Sequence, residues 1–169
     1  MLKAWSGGLA ALILTGSSVA AQMASSIPRE ERARELAIEY LEFWSAPNGL
    51  ALDTVPEFYA SRVVFHGREV SARELTEEKR RFVRRWPERD YRHRRDSIDV
   101  RCEANGDLCT VRSVFDYDAR NPSTGRASSG VAAFALDVAF DGPRPVIVGE
   151  TSRVLRRTDP DADATSSLR

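Results

Sequence analysis

Arginine is the default cation of this chain, with 23 residues against two lysines. One of those lysines, Lys79, falls in the stripe Leu75, Lys79, Phe82, Val83 and Trp86, which repeats at helical spacing. A compact ammonium is not interchangeable with a guanidinium at a confined site, so a lone lysine among apolar neighbours points to a specific partner. Glu150 is the expected one. A turn over 141–145 that pairs Phe140 with Val146 would set Leu136 opposite Glu150. Phe134, Leu136, Val138 and Phe140 are the large residues of their run, so that face should meet the helices. Glu150 would then point inward with Val146, Val148 and Val154, at ion-pair distance from Lys79 and walled by Phe82, Trp86 and Leu136. Such a pair in a pocket orients a ligand or supplies an acid or base. The bland alternatives are a structural ion pair, or Lys79 snorkelling to the edge.

Tyr40, Trp44 and Tyr117 are further pocket candidates, though aromatic residues at such spacing are more often simply core. His66 ends a short apolar run beside Gly67; it could serve as a general base, but no carboxylate partner is visible in the sequence. Cys102 and Cys109 flank Asn105-Gly106, the dipeptide that best suits a two-residue hairpin turn. That turn sets the two cysteines opposite each other, with Val100 facing Val111 and Ile98 facing Ser113. Two cysteines and two histidines make a poor metal set. A disulfide is the expectation, and no metal or cofactor is. The sequence contains no Gly-rich phosphate loop and no nucleophile elbow.

The elements that must position these residues follow from periodicity and punctuation. Residues 1–21 read as a signal peptide: Lys3 is the one charge, an apolar run follows, and Val19-Ala20-Ala21 precedes Gln22. Export, to a periplasm or medium, fits a disulfide. The run is too short and interrupted to remain as a membrane span, so no stable insertion is expected after cleavage. Residues 22–26 are expected to be a leader, 27–157 a single domain, and 158–169 a disordered tail with almost nothing to bury. A helix is expected from Ile27 to Trp44, with Ala33, Leu36, Ala37, Tyr40, Leu41 and Trp44 on one face. A shorter helix over Leu50–Tyr59 and a strand over Arg62–His66 come next. Ser71-Ala72-Arg73-Glu74 is a capping box opening a helix that Pro87 stops. Strands are expected over Tyr91–Cys102, Cys109–Asp118, Arg126–Phe140 and Val146–Arg156.

This order resembles the cone-shaped α+β fold of the nuclear transport factor 2-like superfamily, which includes SnoaL-like proteins and ketosteroid isomerase. The resemblance rests on YLEFWSAPNGLALDTVPEFYASRVVFHGREVS, on EEKRRFVRRWPERDYRHR, and on the sheet ending VIVGETSRVL. It implies a curved antiparallel sheet of four main strands plus a short one, wrapped around N-terminal helices and leaving a pocket at its open end. Members include isomerases, dehydratases, ligand binders and interaction domains, so the fold does not choose the activity. Isomerase chemistry would need a carboxylate base and oxyanion donors in an apolar pocket. Glu150, Tyr40 and Tyr117 could fill those roles.

Between Lys79 and Arg95 there are nine basic residues and two acidic ones. Net charge is +0, and Glu74, Glu77 and Glu78 balance part of the run. We read it as a solvated face, not a nucleic-acid patch. Two functions stay open: an exported non-catalytic domain that binds a small ligand or an envelope protein, and a small SnoaL-like lyase or isomerase. Val131, Ala133, Ala135 and Ala139 form an apolar outer row on the longest strand, where a homodimer could form.

Overall fold

In the computed structural model, the structure describes residues 28–46, 55–104 and 107–158. The signal peptide, the leader, the Asn105-Gly106 turn and the tail beyond Thr158 lie outside the described residues.

Helix α1 covers Arg29–Ser45 and buries Ala33, Leu36, Ala37, Tyr40, Leu41 and Trp44, the face expected from periodicity. A single helical turn, α2, covers Val55–Phe58. Tyr59, expected at the end of that helix, instead opens strand β1, Tyr59–Phe65. His66 and Gly67 both take positive φ, 50° and 79°. That is the geometry of a two-residue hairpin turn, and it returns the chain as β2, Arg68–Ser71, a strand the sequence reading missed. Helix α3, Ala72–Arg85, then starts at Ser71 with both halves of the capping box formed.

The expected strand over Tyr91–Cys102 is two strands, β3 (Glu88–His93) and β4 (Asp99–Cys102). Asp96, at φ 55°, breaks the run between them. Both pair with β5, Leu108–Asn121. Cys102 faces Cys109 and Val100 faces Val111 as expected, and the two cysteines form a disulfide. Strands β6 (Arg126–Ala139) and β7 (Val146–Thr158) complete the sheet.

The sheet has seven strands, ordered β2-β1-β7-β6-β5-β3, with β4 also on β5. It is mixed, because β1 runs parallel to β7 while the other pairs are antiparallel. The architecture is α+β, with α1 against β3, β4 and β5, and α3 against β1 and β2.

Next to the last turn, Ala139 and not Phe140 pairs with Val146. A bulge between Asp137 and Val138 then restores the expected register, so Leu136 does face Glu150. The bulge changes which neighbours point inward. Ile147 is fully buried, whereas Val146 and Val148 are half-buried and Val154 is exposed. The outer row of β6 is less bare than expected: Val131 is buried, the three alanines are half-buried, and Asp137 among them accepts a bond from the Thr110 hydroxyl.

Candidate functional site

A cavity of about 460 Å³ lies between the concave side of the sheet and the two long helices. Each wall has a local origin. Helix α1 brings Tyr40 and Trp44 one turn apart on its buried face. Strands β5 and β6 bring Phe115 and Phe134 by two-residue alternation, and β3 brings Tyr91. Helix α3 brings Lys79 from its inward stripe, and β7 brings Glu150.

Lys79 and Glu150 meet as expected. The Lys79 ammonium donates to Glu150 Oε1 at 2.6 Å, and both side chains are nearly inaccessible, at 10% and 3%. The surroundings differ from the expectation. Phe82, 36% exposed, and Trp86 line the same cavity, but the rings nearest the ammonium are others. The ammonium lies instead over the rings of Trp44 at 4.8 Å and Phe65 at 5.0 Å, with Tyr40 and Tyr59 slightly farther. Aromatic faces attract a cation, most strongly where water is excluded.

Tyr59 is the member of the site that sequence reasoning missed. Its hydroxyl donates to Glu150 Oε2 at 2.5 Å. The signal was present in YASRVVF, where alternate positions put Tyr59, Val63 and Phe65 toward the core. Placing Tyr59 on a helix hid that alternation. Each carboxylate oxygen of Glu150 therefore carries a donor, one from Lys79 and one from Tyr59. Lys79 also donates to the Tyr40 hydroxyl at 3.4 Å. Burial, and then the negative charge of Glu150, hold the phenols of Tyr40 and Tyr59 well above their ordinary range. Both remain protonated at neutral pH.

The remaining candidates are dispersed. Trp44 is in the wall, stacked edge-on to Tyr40. Tyr117 stands toward the mouth, with its hydroxyl 3.4 Å from that of Ser128. His66 is exposed at the rim; its backbone N–H donates to the Glu150 carbonyl, and its ring packs on Phe65. No carboxylate is seen on that imidazole among the described residues. No group of three or more metal-ligating side chains occurs among them either. The basic run carries the ion pairs Arg80–Glu77, Arg81–Glu78, Arg92–Asp90 and Arg94–Asp116 on its exposed faces.

No family model and no curated protein matches the sequence. Solved structures do match the fold. A nuclear transport factor 2-like superfamily protein from Salmonella enterica superposes with TM-score 0.62 at 8% identity, covering 78% of this chain and 94% of that one. An uncharacterised protein with a cystatin-like fold from Caulobacter vibrioides gives 0.58 at 13% identity, covering 82% and 95%. A candidate scytalone dehydratase from Novosphingobium aromaticivorans gives 0.61 at 9% identity, covering 76% and 85%. The mixed sheet, the two helices on its concave side and these superpositions agree: the chain has the nuclear transport factor 2-like fold, the SnoaL-like cone.

Proposed function

We propose that the protein is exported and binds a small, ring-bearing molecule in its cone without transforming it. The observation that carries this reading is the state of Glu150. It is the carboxylate buried in the cavity wall, and both its oxygens are engaged, by Lys79 and Tyr59. A general base needs a lone pair directed at substrate. A carboxylate held on one oxygen by an ammonium and on the other by a phenol has its charge balanced and its orientation fixed, and forms a polar floor beneath aromatic walls. An apolar cavity with few fixed polar groups is the usual form of a small-molecule site.

Native mass spectrometry of protein from its own host should show a retained mass below roughly 500 Da, in keeping with a site of this size. Neutral 4-hydroxybiphenyl should bind and quench Trp44. No retained mass, together with no quenching up to millimolar 4-hydroxybiphenyl, would sink the reading. Export predicts an N-terminus at Gln22 in the protein recovered outside the cytoplasm.

The second reading is a small lyase or isomerase. It is favoured by four titratable groups, Lys79, Glu150, Tyr40 and Tyr59, converging in one dry site. Ligand would then have to displace Lys79 or Tyr59 from Glu150. Chemical conversion of the retained molecule by wild-type protein, abolished by Glu150→Gln, would establish it.

A further inference from the structure

Resting on that binding reading, we infer the chemical class of the ligand: an elongated aromatic monocarboxylate, with its ring system inside the cone and its carboxylate on Arg157.

The inward row of β7 carries the argument. Glu150 faces Leu136 and Val154 faces Ala132. Leu155 then bulges, and Arg157 faces Gly130, which in turn faces Tyr117 on β5. Register therefore sets Arg157 on the same side as Tyr117, at the cavity mouth, and both border the cavity. Gly130 carries no side chain, and a Cβ there would strike the backbone of Arg156 and Arg157, so glycine lets β7 come close at this point. Ser128 completes this rim, 3.4 Å from the Tyr117 hydroxyl.

The charges bordering the cavity do not all cancel. Lys79 is paired with Glu150 and Glu78 with Arg81. Arg153 also borders the cavity, but it lies opposite Ala133, on the outer row of the sheet. Arg157 is left as the inward cation with no hydrogen bond or ion pair to the described residues. A guanidinium presents a planar fork that fits a carboxylate through two parallel bonds. One guanidinium among neutral hydroxyls also matches one negative charge. A phosphate monoester brings nearly two, which this rim does not balance.

Distance gives the shape. Glu150 and Arg157 are about 20 Å apart along the strand at ~3.3 Å per residue, allowing for the bulged Leu155. A ligand that meets both ends is long, and the walls between them are rings: Trp44, Tyr91, Phe115 and Phe134. At the inner end Lys79 and Tyr40 can donate to a neutral oxygen. The class is thus an aromatic acid with a hydroxyl or carbonyl at the far end from its carboxylate.

The test uses three probes by isothermal titration at pH 7.5: 4′-hydroxybiphenyl-4-carboxylate, its carboxamide, and neutral 4-hydroxybiphenyl. The carboxylate should bind about tenfold tighter than the carboxamide. Arg157→Gln should remove that preference and leave the carboxamide unchanged. Arg156→Gln, on the outer row, should leave both unchanged. Equal affinity for carboxylate and carboxamide, with 4-hydroxybiphenyl still bound, would overturn the anion assignment and spare the cavity reading. Equal loss in both arginine variants would overturn it too, by showing diffuse attraction in place of a site. Failure of all three probes to bind would overturn both. Arg157 is exposed, so its substitution does not endanger folding.

Discussion

Lys79 and Arg89 are equally buried, at 8% each, and the protein satisfies them in opposite ways. Lys79 has a carboxylate, a phenol and four rings around it. Arg89 has no counter-ion in its hydrogen-bond set. Its guanidinium donates instead to the backbone carbonyls of Trp44, Ala46, Trp86 and Pro87. Those carbonyls belong to the C-terminal end of α1 and to the chain leaving α3. Helix ends leave unpaired carbonyls, and a cation suits them electrostatically. Arg89 thus ties the ends of two helices to β3, while Lys79 faces a cavity with its charge locally cancelled. Burial alone does not mark a functional cation; the kind of acceptor, and the space beside it, do.

The largest effect should come from breaking the Lys79 pair on one side. Lys79→Met or Glu150→Leu alone should destabilise by roughly 3–5 kcal/mol, because each strands the other charge. The double variant should cost much less than the sum of the two. A double-mutant cycle by urea unfolding measures this, and additive losses would show the residues to be uncoupled.

Arg89→Met has no such partner to strand, but it leaves buried carbonyls without donors. We expect a loss of roughly 2–3 kcal/mol, from charged hydrogen bonds worth about 1.5–3 kcal/mol each, offset by relief of the buried charge. Arg89→Lys should rescue little, since one ammonium cannot span four carbonyls fixed by a planar fork. Affinity for 4-hydroxybiphenyl should persist in both variants, measured below their melting temperatures. Full rescue by lysine would mean that charge, and not fork geometry, holds the helix ends.

The disulfide is bonded to neither cation and serves as a reference. Cys102 and Cys109 are 7 positions apart, and closing so short a loop is worth about 2–3 kcal/mol on the chain-entropy model. Reduction should lower the melting temperature by several degrees, while the Lys79–Glu150 coupling energy stays unchanged in reduced protein. Thiol labelling without reductant should find no free thiol.

His93 gives the smallest effect and sharpens the contrast. It is half-buried, its Nδ1 meets the Ser113 hydroxyl at 2.7 Å, and its Nε2 has no partner. Burial outweighs the Ala37 backbone carbonyl and the charge of Glu42, both of which favour the proton, and pushes its pKa below the usual imidazole value. The unfolded chain then binds the extra proton first. Stability should be full above about pH 6.5 and fall as pH drops through the lower folded value. His93→Gln should flatten that part of the stability–pH curve, measured by thermal melts between pH 7.5 and 5. An unchanged slope would assign the acid sensitivity to other groups.

Much of this was legible in the chain itself. The buried face of α1, the box at Ser71 and Glu74, the Cys102–Cys109 pairing and the Lys79–Glu150 pair all come from local rules: period, cap, turn and the odd lysine. The first three depend on residues within one element or across one hairpin; the pair joins two such readings, the stripe of α3 and the inward face of β7. Even there the pair was reached through a turn register that is off by one, and the Asp137–Val138 bulge corrected it. Tertiary structure alone decided the rest. Whether Tyr59 ends a helix or begins a strand depends on β7 running parallel beside it, a contact no local window contains. Arg89 reads as one more cation in a basic run until two helix ends converge on it. Arg157 becomes the rim of a cavity only because a bulge at Leu155 turns it inward, opposite a glycine. Strand alternation has a period of two, so one inserted residue reverses a face, and the sheet, not the sequence around the bulge, determines where that residue goes.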